Sequence, residues 1–129
     1  MTNSRLLIDT HVLVWLLYEP DNISPEAKNL LQMADTVYLS SVSIWELALK
    51  FDKHKFAYPT KELIDGAEEL GLDRLLLRDQ HLLSLGSVKL SHKDPFDALL
   101  VAQSEAEGCI FMTADSRILS SVNHTFKCS

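Results

Sequence analysis

Two short runs without a single polar position constrain this chain most: Leu6-Leu7-Ile8 near one end and Cys109-Ile110-Phe111-Met112 near the other. A strand wetted on one face alternates apolar and polar residues. A run without alternation belongs to a strand covered on both faces. Such strands occur in parallel sheets, whose crossover connections lay helices over each side. The intervening sequence agrees. Strands are expected over residues 5–8, 37–39, 75–77 and 109–112, with an edge strand over 124–127. Helical spacing dominates between them. Val12 to Leu17 form an apolar helix face. Ser24-Pro25-Glu26 opens a helix, with Ser24 as cap and Pro25 in its first turn. Residues 43–51 read as a helix, Leu63, Ala67 and Leu70 as another ending at Gly71, and 82–85 as a short one. Asp94-Pro95-Phe96-Asp97 opens a helix that runs to Glu107 and stops at Gly108. A last short helix begins near Ile118. The pattern predicts an α/β fold with three layers (α/β/α) and a mainly parallel sheet of four or five strands. With 129 residues, one domain over 1–129 is expected.

Composition enters by exclusion. The apolar share of 47% is too high for a disordered chain. Two cysteines, Cys109 and Cys128, make neither a disulfide framework nor a zinc site. No secretory leader is expected, because Asp9 breaks the first apolar run, and no stretch approaches a bilayer span. A cytoplasmic, reducing location follows as the expectation. With 12 basic and 18 acidic residues the formal charge is −6, which argues against holding nucleic acid by bulk charge. It leaves room for an enzyme that sets metal ions between its carboxylates and a phosphate.

The positions of certain acids are more telling than their number. Asp9 follows the first strand. Glu46 lies in the first turns of the helix after the second. Asp97 is in the first turn of the helix opened by Asp94, and Asp115 follows strand 109–112. In open parallel sheets, sites form outside the carboxyl ends of the strands, the edge these junctions share. Each acid also has a plain structural reading. Asp9, Asp94 and Asp115 suit helix caps, and Ser43-Ile44-Trp45-Glu46 has the form of a capping box. Capping does not explain why each junction of one edge supplies an acid.

Metal chemistry explains it. Gathered carboxylates repel one another unless cations enter, and Mg²⁺ or Mn²⁺ is the natural counter-ion for oxygen donors. Such ions polarise a phosphodiester and acidify water. Thr10, Ser43 and Thr113 are candidate supporting hydroxyls that orient a carboxylate or water. Other constellations are weaker. The five histidines lack the His-Glu-x-x-His spacing, and His11 reads as a helix-face or supporting residue. Ser40, Ser41 and Ser43 have no glycine-rich elbow, and the four glycines are scattered. Lys50, Lys53, His54 and Lys55 form a compact basic cluster, either a solvated helix end or a contact for RNA phosphates. Trp15 and Trp45 suit core or interface anchors.

Four segments together carry a family likeness: Leu6-Leu7-Ile8-Asp9-Thr10-His11, Ser41-Val42-Ser43-Ile44-Trp45-Glu46, His92-Lys93-Asp94-Pro95-Phe96-Asp97 and Thr113-Ala114-Asp115. The chain resembles the PIN-domain family, and within it the VapC-type ribonuclease toxins of toxin–antitoxin modules. The resemblance implies a Mg²⁺- or Mn²⁺-dependent endoribonuclease. Asp9 and Asp97 would be the principal ligands. Glu46 would act through water, and Asp115 would complete the site or hold a second ion. Asp94 is carried over only as a supporting residue. The implied partners are an RNA substrate, structured RNA such as tRNA among the candidates, a small cognate antitoxin and a second copy of the chain. The faces around Trp15, Trp45 and Phe51 are the expected contact surfaces. A non-catalytic binding protein of the same fold, or a phosphatase or DNase using the same acids, are the alternatives. One departure stands out: relatives often carry Arg after Asp-Pro-Phe-Asp, whereas this chain has Ala98.

Overall fold

The computed structural model describes residues 4–129 of the chain. Five strands, β1 (Arg5–Ile8), β2 (Thr36–Ser40), β3 (Asp73–Leu75), β4 (Ile110–Thr113) and β5 (Thr125–Lys127), form one sheet in the order β3-β2-β1-β4-β5. Every pairing is parallel. Seven helices connect them: α1 (Thr10–Tyr18), α2 (Pro25–Met33), α3 (Ser41–Asp52), α4 (Thr60–Glu69), α5 (Asp79–Ser84), α6 (Pro95–Glu107) and α7 (Ser116–Ser121). No helix among the described residues is long and apolar enough to cross a membrane.

The central strand shows why its sequence lacks polar positions. Leu6 and Ile8 join a core with Val12, Leu13, Ala27 and Leu63, from α1, α2 and α4. Leu7 points the other way, into a core with Leu100, Val101 and Ile118 from α6 and α7. All three β1 residues are fully buried, so the period-2 alternation persists in direction while both faces are apolar. This is the expected three-layer α/β/α arrangement.

Three local expectations are corrected. The third strand is Asp73–Leu75, not 75–77: at a sheet edge it is built from exposed Asp73 and Arg74, while Leu76 and Leu77 lie outside it. Cys109 precedes β4 and is buried. Ser43 does not cap α3. Ser40 does, its hydroxyl accepting from the Val42 N–H at 3.0 Å, because the chain turns helical directly at the end of β2. That shift buries Ser43 one turn inside the helix and frees its hydroxyl for another partner.

The topology reverses between β1 and β4. From β1 the chain moves out through β2 to β3, then returns to lay β4 and β5 on the opposite side. A crevice opens at such a switch point, outside the strands' carboxyl ends. Asp9 follows β1 there, and its N–H donates to Met112 O of β4 at 2.9 Å. The first turn of α6 is delivered to the same edge by Asp94, whose Oδ1 accepts from Phe96 N–H at 2.9 Å and Asp97 N–H at 3.2 Å.

Candidate metal centre

The crevice is a cleft of about 350 Å³, and its walls include Asp9, Glu46, Asp94, Asp97 and Asp115. The cations at its wall are Lys50, Lys55 and Arg117. Five carboxylates from four junctions thus face three cations, and the hollow is electronegative.

Asp9 is only 3% exposed. Its Oδ1 caps α1, accepting from Thr10 N–H at 2.8 Å, and its Oδ2 accepts from Thr113 Oγ1 at 2.7 Å. Burial nevertheless pushes its carboxyl above the usual range, helped by the charge of Glu46 and opposed by His11 and the two hydrogen bonds. Thr113, the last residue of β4, also accepts from the Asp115 N–H at 3.0 Å. One hydroxyl therefore positions acids from both sides of the switch point.

Glu46 is held by a hydroxyl pair. Thr10 Oγ1 lies 2.8 Å from Glu46 Oε1 and 2.9 Å from Ser43 Oγ. A hydroxyl has one proton and a carboxylate can only accept, so Thr10 donates to Glu46 while Ser43 donates to Thr10. The other oxygen, Oε2, meets Lys50 Nζ at 3.1 Å, one helical turn on.

Asp97 is 9% exposed, and its Oδ2 meets His92 Nε2 at 2.8 Å. Its pKa is pushed up to about 6, first by burial and then by the charges of Asp9 and Asp94, against the pull of His92. Asp115 goes the other way. Arg117 grips it from two residues away, Nε to Oδ1 at 3.2 Å and Nη2 to Oδ2 at 2.9 Å. Those bonds hold its carboxyl below the ordinary range. Its Oδ1 also caps α7 through the Arg117 N–H.

Ligand atoms of His92, Asp97 and Asp115 lie within 4.8 Å of one another, and this cluster is capable of holding a metal ion. His92 Nδ1 is buried with no hydrogen-bond partner among the described residues, so one imidazole nitrogen is not committed. Two carboxylates with an imidazole suit a divalent cation.

A match to the PIN domain extends over residues 6–124. The chain belongs to the PIN-domain family. No curated protein matches it in sequence. Among solved structures it is similar to VapBC2 from Rickettsia felis bound to a promoter DNA fragment, with a TM-score of 0.72 at 12% identity over 97% of this chain and 99% of that one. It is similar to DNA-bound VapBC from Salmonella typhimurium, with a TM-score of 0.71 at 15% identity over 96% and 98% of the chains. A toxin–antitoxin complex from Klebsiella pneumoniae matches with a TM-score of 0.63 at 14% identity over 94% and 95%. At these identities the likeness is one of fold.

Within this PIN domain the structure gathers the acids singled out in sequence, together with Thr10, Ser43 and Thr113, at one edge. His92 and Arg117 join them, as do His11, read from sequence as a helix-face or supporting residue, and two lysines. A loop histidine five positions before a carboxylate fits no metal-spacing template, so sequence alone gives His92 no ligand role, although it stands inside the segment that opens α6. His11 faces the cleft: its Nε2 accepts from Ala114 N–H at 3.2 Å, which places the ring proton on Nδ1, 3.6 Å from Asp9 Oδ2. Arg117 could have been found from the Asp-x-Arg spacing alone. Lys50 and Lys55 also reach the cleft, beyond a merely solvated helix end.

Proposed function

We propose that this PIN-domain protein is a divalent-metal-dependent endoribonuclease and the toxin of a VapC-type toxin–antitoxin pair. The observation that carries the proposal is the convergence of Asp9, Glu46, Asp97 and Asp115 in one cleft at the switch point of the sheet. The solved complexes of similar fold, described as VapBC and toxin–antitoxin assemblies, support the toxin reading.

Asp97, Asp115 and His92 would hold a first cation; Asp9, expected with Asp97 as a principal ligand, is not in that cluster and, with Glu46, lines the same cleft. A bound Mg²⁺ or Mn²⁺ supplies Lewis acidity toward a phosphodiester and acidifies water. The chain's own residues do the positioning. Thr113 fixes the orientation of Asp9 and Asp115 through one hydroxyl. Thr10 and Ser43 fix Glu46 Oε1, leaving Glu46 to take up a proton from water entering the cleft. Attack by water with the P–O3′ bond breaking, the 3′ oxygen leaving and taking a proton, would give products with a 5′ phosphate and a 3′ hydroxyl. The expected partners are RNA, with tRNA-like structured RNA among the candidates, a cognate antitoxin and a second copy of the chain, in the cytoplasm.

The caps made by Asp9, Asp94 and Asp115 favour a second reading, a non-catalytic binding protein that keeps acids for helix starts. An Asp9→Asn, Asp97→Asn double variant separates the two, since asparagine also caps helices. The nuclease reading expects the parent to cut RNA with Mg²⁺ or Mn²⁺ and the folded variant to be inactive. Equal cleavage by both overturns it. Parallel assays on single-stranded DNA and a phosphomonoester test for a DNase or phosphatase.

A further inference from the structure

A second groove, of about 330 Å³, opens beside the acid cleft and shares Glu46, Lys50, Lys55 and Asp94 with it. Its remaining lining divides by chemistry. Leu49, Pro95 and Phe96 are apolar, and Lys53 adds a third ammonium to Lys50 and Lys55. Trp45, 51% exposed, stands edge-on to Phe96 at 4.9 Å and extends the aromatic surface outward.

The lysines are brought there by a specific turn. At the end of α3, Lys55 N–H donates to Lys50 O at 2.8 Å and His54 N–H to Phe51 O at 3.0 Å, the paired bonds of a Schellman motif. The motif needs a left-handed residue, normally glycine, and here His54 takes it at φ 57°. The chain doubles back, and Lys55 and Phe56 come to lie against the acid cleft. Lys50 is partly neutralised by Glu46, but Lys53 and Lys55 form no ion pair among the described residues. Two uncommitted ammonium groups in a chain of net charge −6 thus border its most acidic hollow.

Ammonium groups set among apolar and aromatic side chains match single-stranded nucleic acid, in which each phosphate is followed by a base with flat apolar faces. We propose that this groove seats the nucleotide next to the scissile phosphate of single-stranded RNA. The assignment rests on the nuclease reading and adds to it where the strand runs. Continuity with the cleft favours RNA over an acidic peptide segment. The two hollows share four residues, so a strand whose phosphate meets the acids has an adjoining path into the groove.

The test uses the full chain, a short fluorescein-labelled single-stranded RNA of mixed sequence, and Ca²⁺ in place of Mg²⁺ to slow cleavage. Binding is followed by anisotropy over a range of salt. For Lys53→Gln/Lys55→Gln, affinity is expected to fall about tenfold, and the slope of log K against log[salt] to shrink by about 1.4, at about 0.7 per lost contact. The melting temperature in EDTA should match the parent and should still rise at least as much with Mn²⁺, which separates a lost RNA contact from a damaged acid site. Unlabelled duplex RNA should compete more weakly than the single strand. Parental affinity and salt slope in the double variant overturn the assignment and leave an acidic peptide as the occupant. Equal competition by duplex RNA also overturns it. If the parent binds no RNA, the nuclease reading fails first and the groove assignment with it.

Discussion

Asp97 offers a perturbation whose sign runs against intuition: removing this buried, hydrogen-bonded charge should stabilise the metal-free protein. The carboxyl is moved from 3.8 to about 6 by burial and by Asp9 and Asp94. That difference of about 2 units corresponds to a destabilisation on the order of 3 kcal/mol once the group is ionised. The raised pKa means that the folded state holds its proton more tightly than the unfolded chain. Stability from this group is therefore complete below about pH 3.8 and is lost as pH rises through about 6. Asp97→Asn removes the charge and keeps an oxygen to accept from His92, now 2.8 Å away. The buried amide returns part of the gain, so a net stabilisation of about 1–2 kcal/mol is expected near pH 7.5, or on the order of 5 °C in Tm. The assay is calorimetric unfolding in EDTA from about pH 5 to 8, repeated with Mn²⁺ near pH 7.5. The parent should lose stability with rising pH in the lower part of that range, and the variant should lose less. Mn²⁺ should raise the parent's Tm and leave the variant's nearly unchanged. A variant that melts below the parent in EDTA near neutral pH, and still responds fully to Mn²⁺, would refute the reasoning and make Asp97 a purely structural acid.

Other residues give narrower tests. Thr113→Val keeps the shape of the β4 terminus but removes the hydroxyl that serves Asp9 and Asp115. It should cost about 2 kcal/mol in urea denaturation and weaken Mn²⁺ binding. Arg117→Ala frees a carboxylate that the guanidinium grips through two bonds. Calorimetric titration should find Mn²⁺ bound roughly 3- to 10-fold more tightly, since the pair is exposed and its competition modest. His54→Gly relieves a left-handed non-glycine residue at φ 57° and should stabilise the chain by about 1 kcal/mol, read as a higher denaturation midpoint.

The fold was legible because its evidence is local and redundant. Leu6-Leu7-Ile8 reads as a doubly covered strand from three side chains, and Asp94-Pro95 announces a helix start in two. The acids were legible by address, since a residue that follows a parallel strand must emerge at the carboxyl edge. What escaped depends on how loops close in space. His92 reaches Asp97 across an irregular segment, and His11 meets the Ala114 N–H because β1 and β4 are neighbours. Ser43 had two readings, a helix cap and a supporting hydroxyl, and its position fits the second. As a helix cap it would have bonded backbone, whereas one turn inside α3 it steadies the Thr10 hydroxyl that holds Glu46. The edge strand β3 was misplaced because exposed Asp73 and Arg74 carry no apolar signal.

The acids that cap helices are the acids that crowd the cleft, and the two duties do not compete because a carboxylate has two oxygens. Asp9 gives Oδ1 to the backbone of α1 and keeps Oδ2 for Thr113; Asp94 spends Oδ1 alone on the two amides of α6. Capping anchors Asp9, Asp94 and Asp115 to helix starts, while Thr10 and Lys50 hold Glu46 and His92 holds Asp97, so these contacts oppose swinging the carboxylates apart. The pKa values of Asp9 and Asp97 are raised first by burial, with the charges of neighbouring acids adding to it. Counting Asp9, Glu46, Asp97 and Asp115 as site residues leaves 14 acids against 12 bases elsewhere in a chain of net charge −6. The cleft concentrates acids without accounting for the whole balance: its five carboxylates and three cations carry a formal −2 of the −6. A cation entering there meets preassembled donors and relieves repulsion already built into the fold, which is why metal binding and thermal stability should move together in this protein.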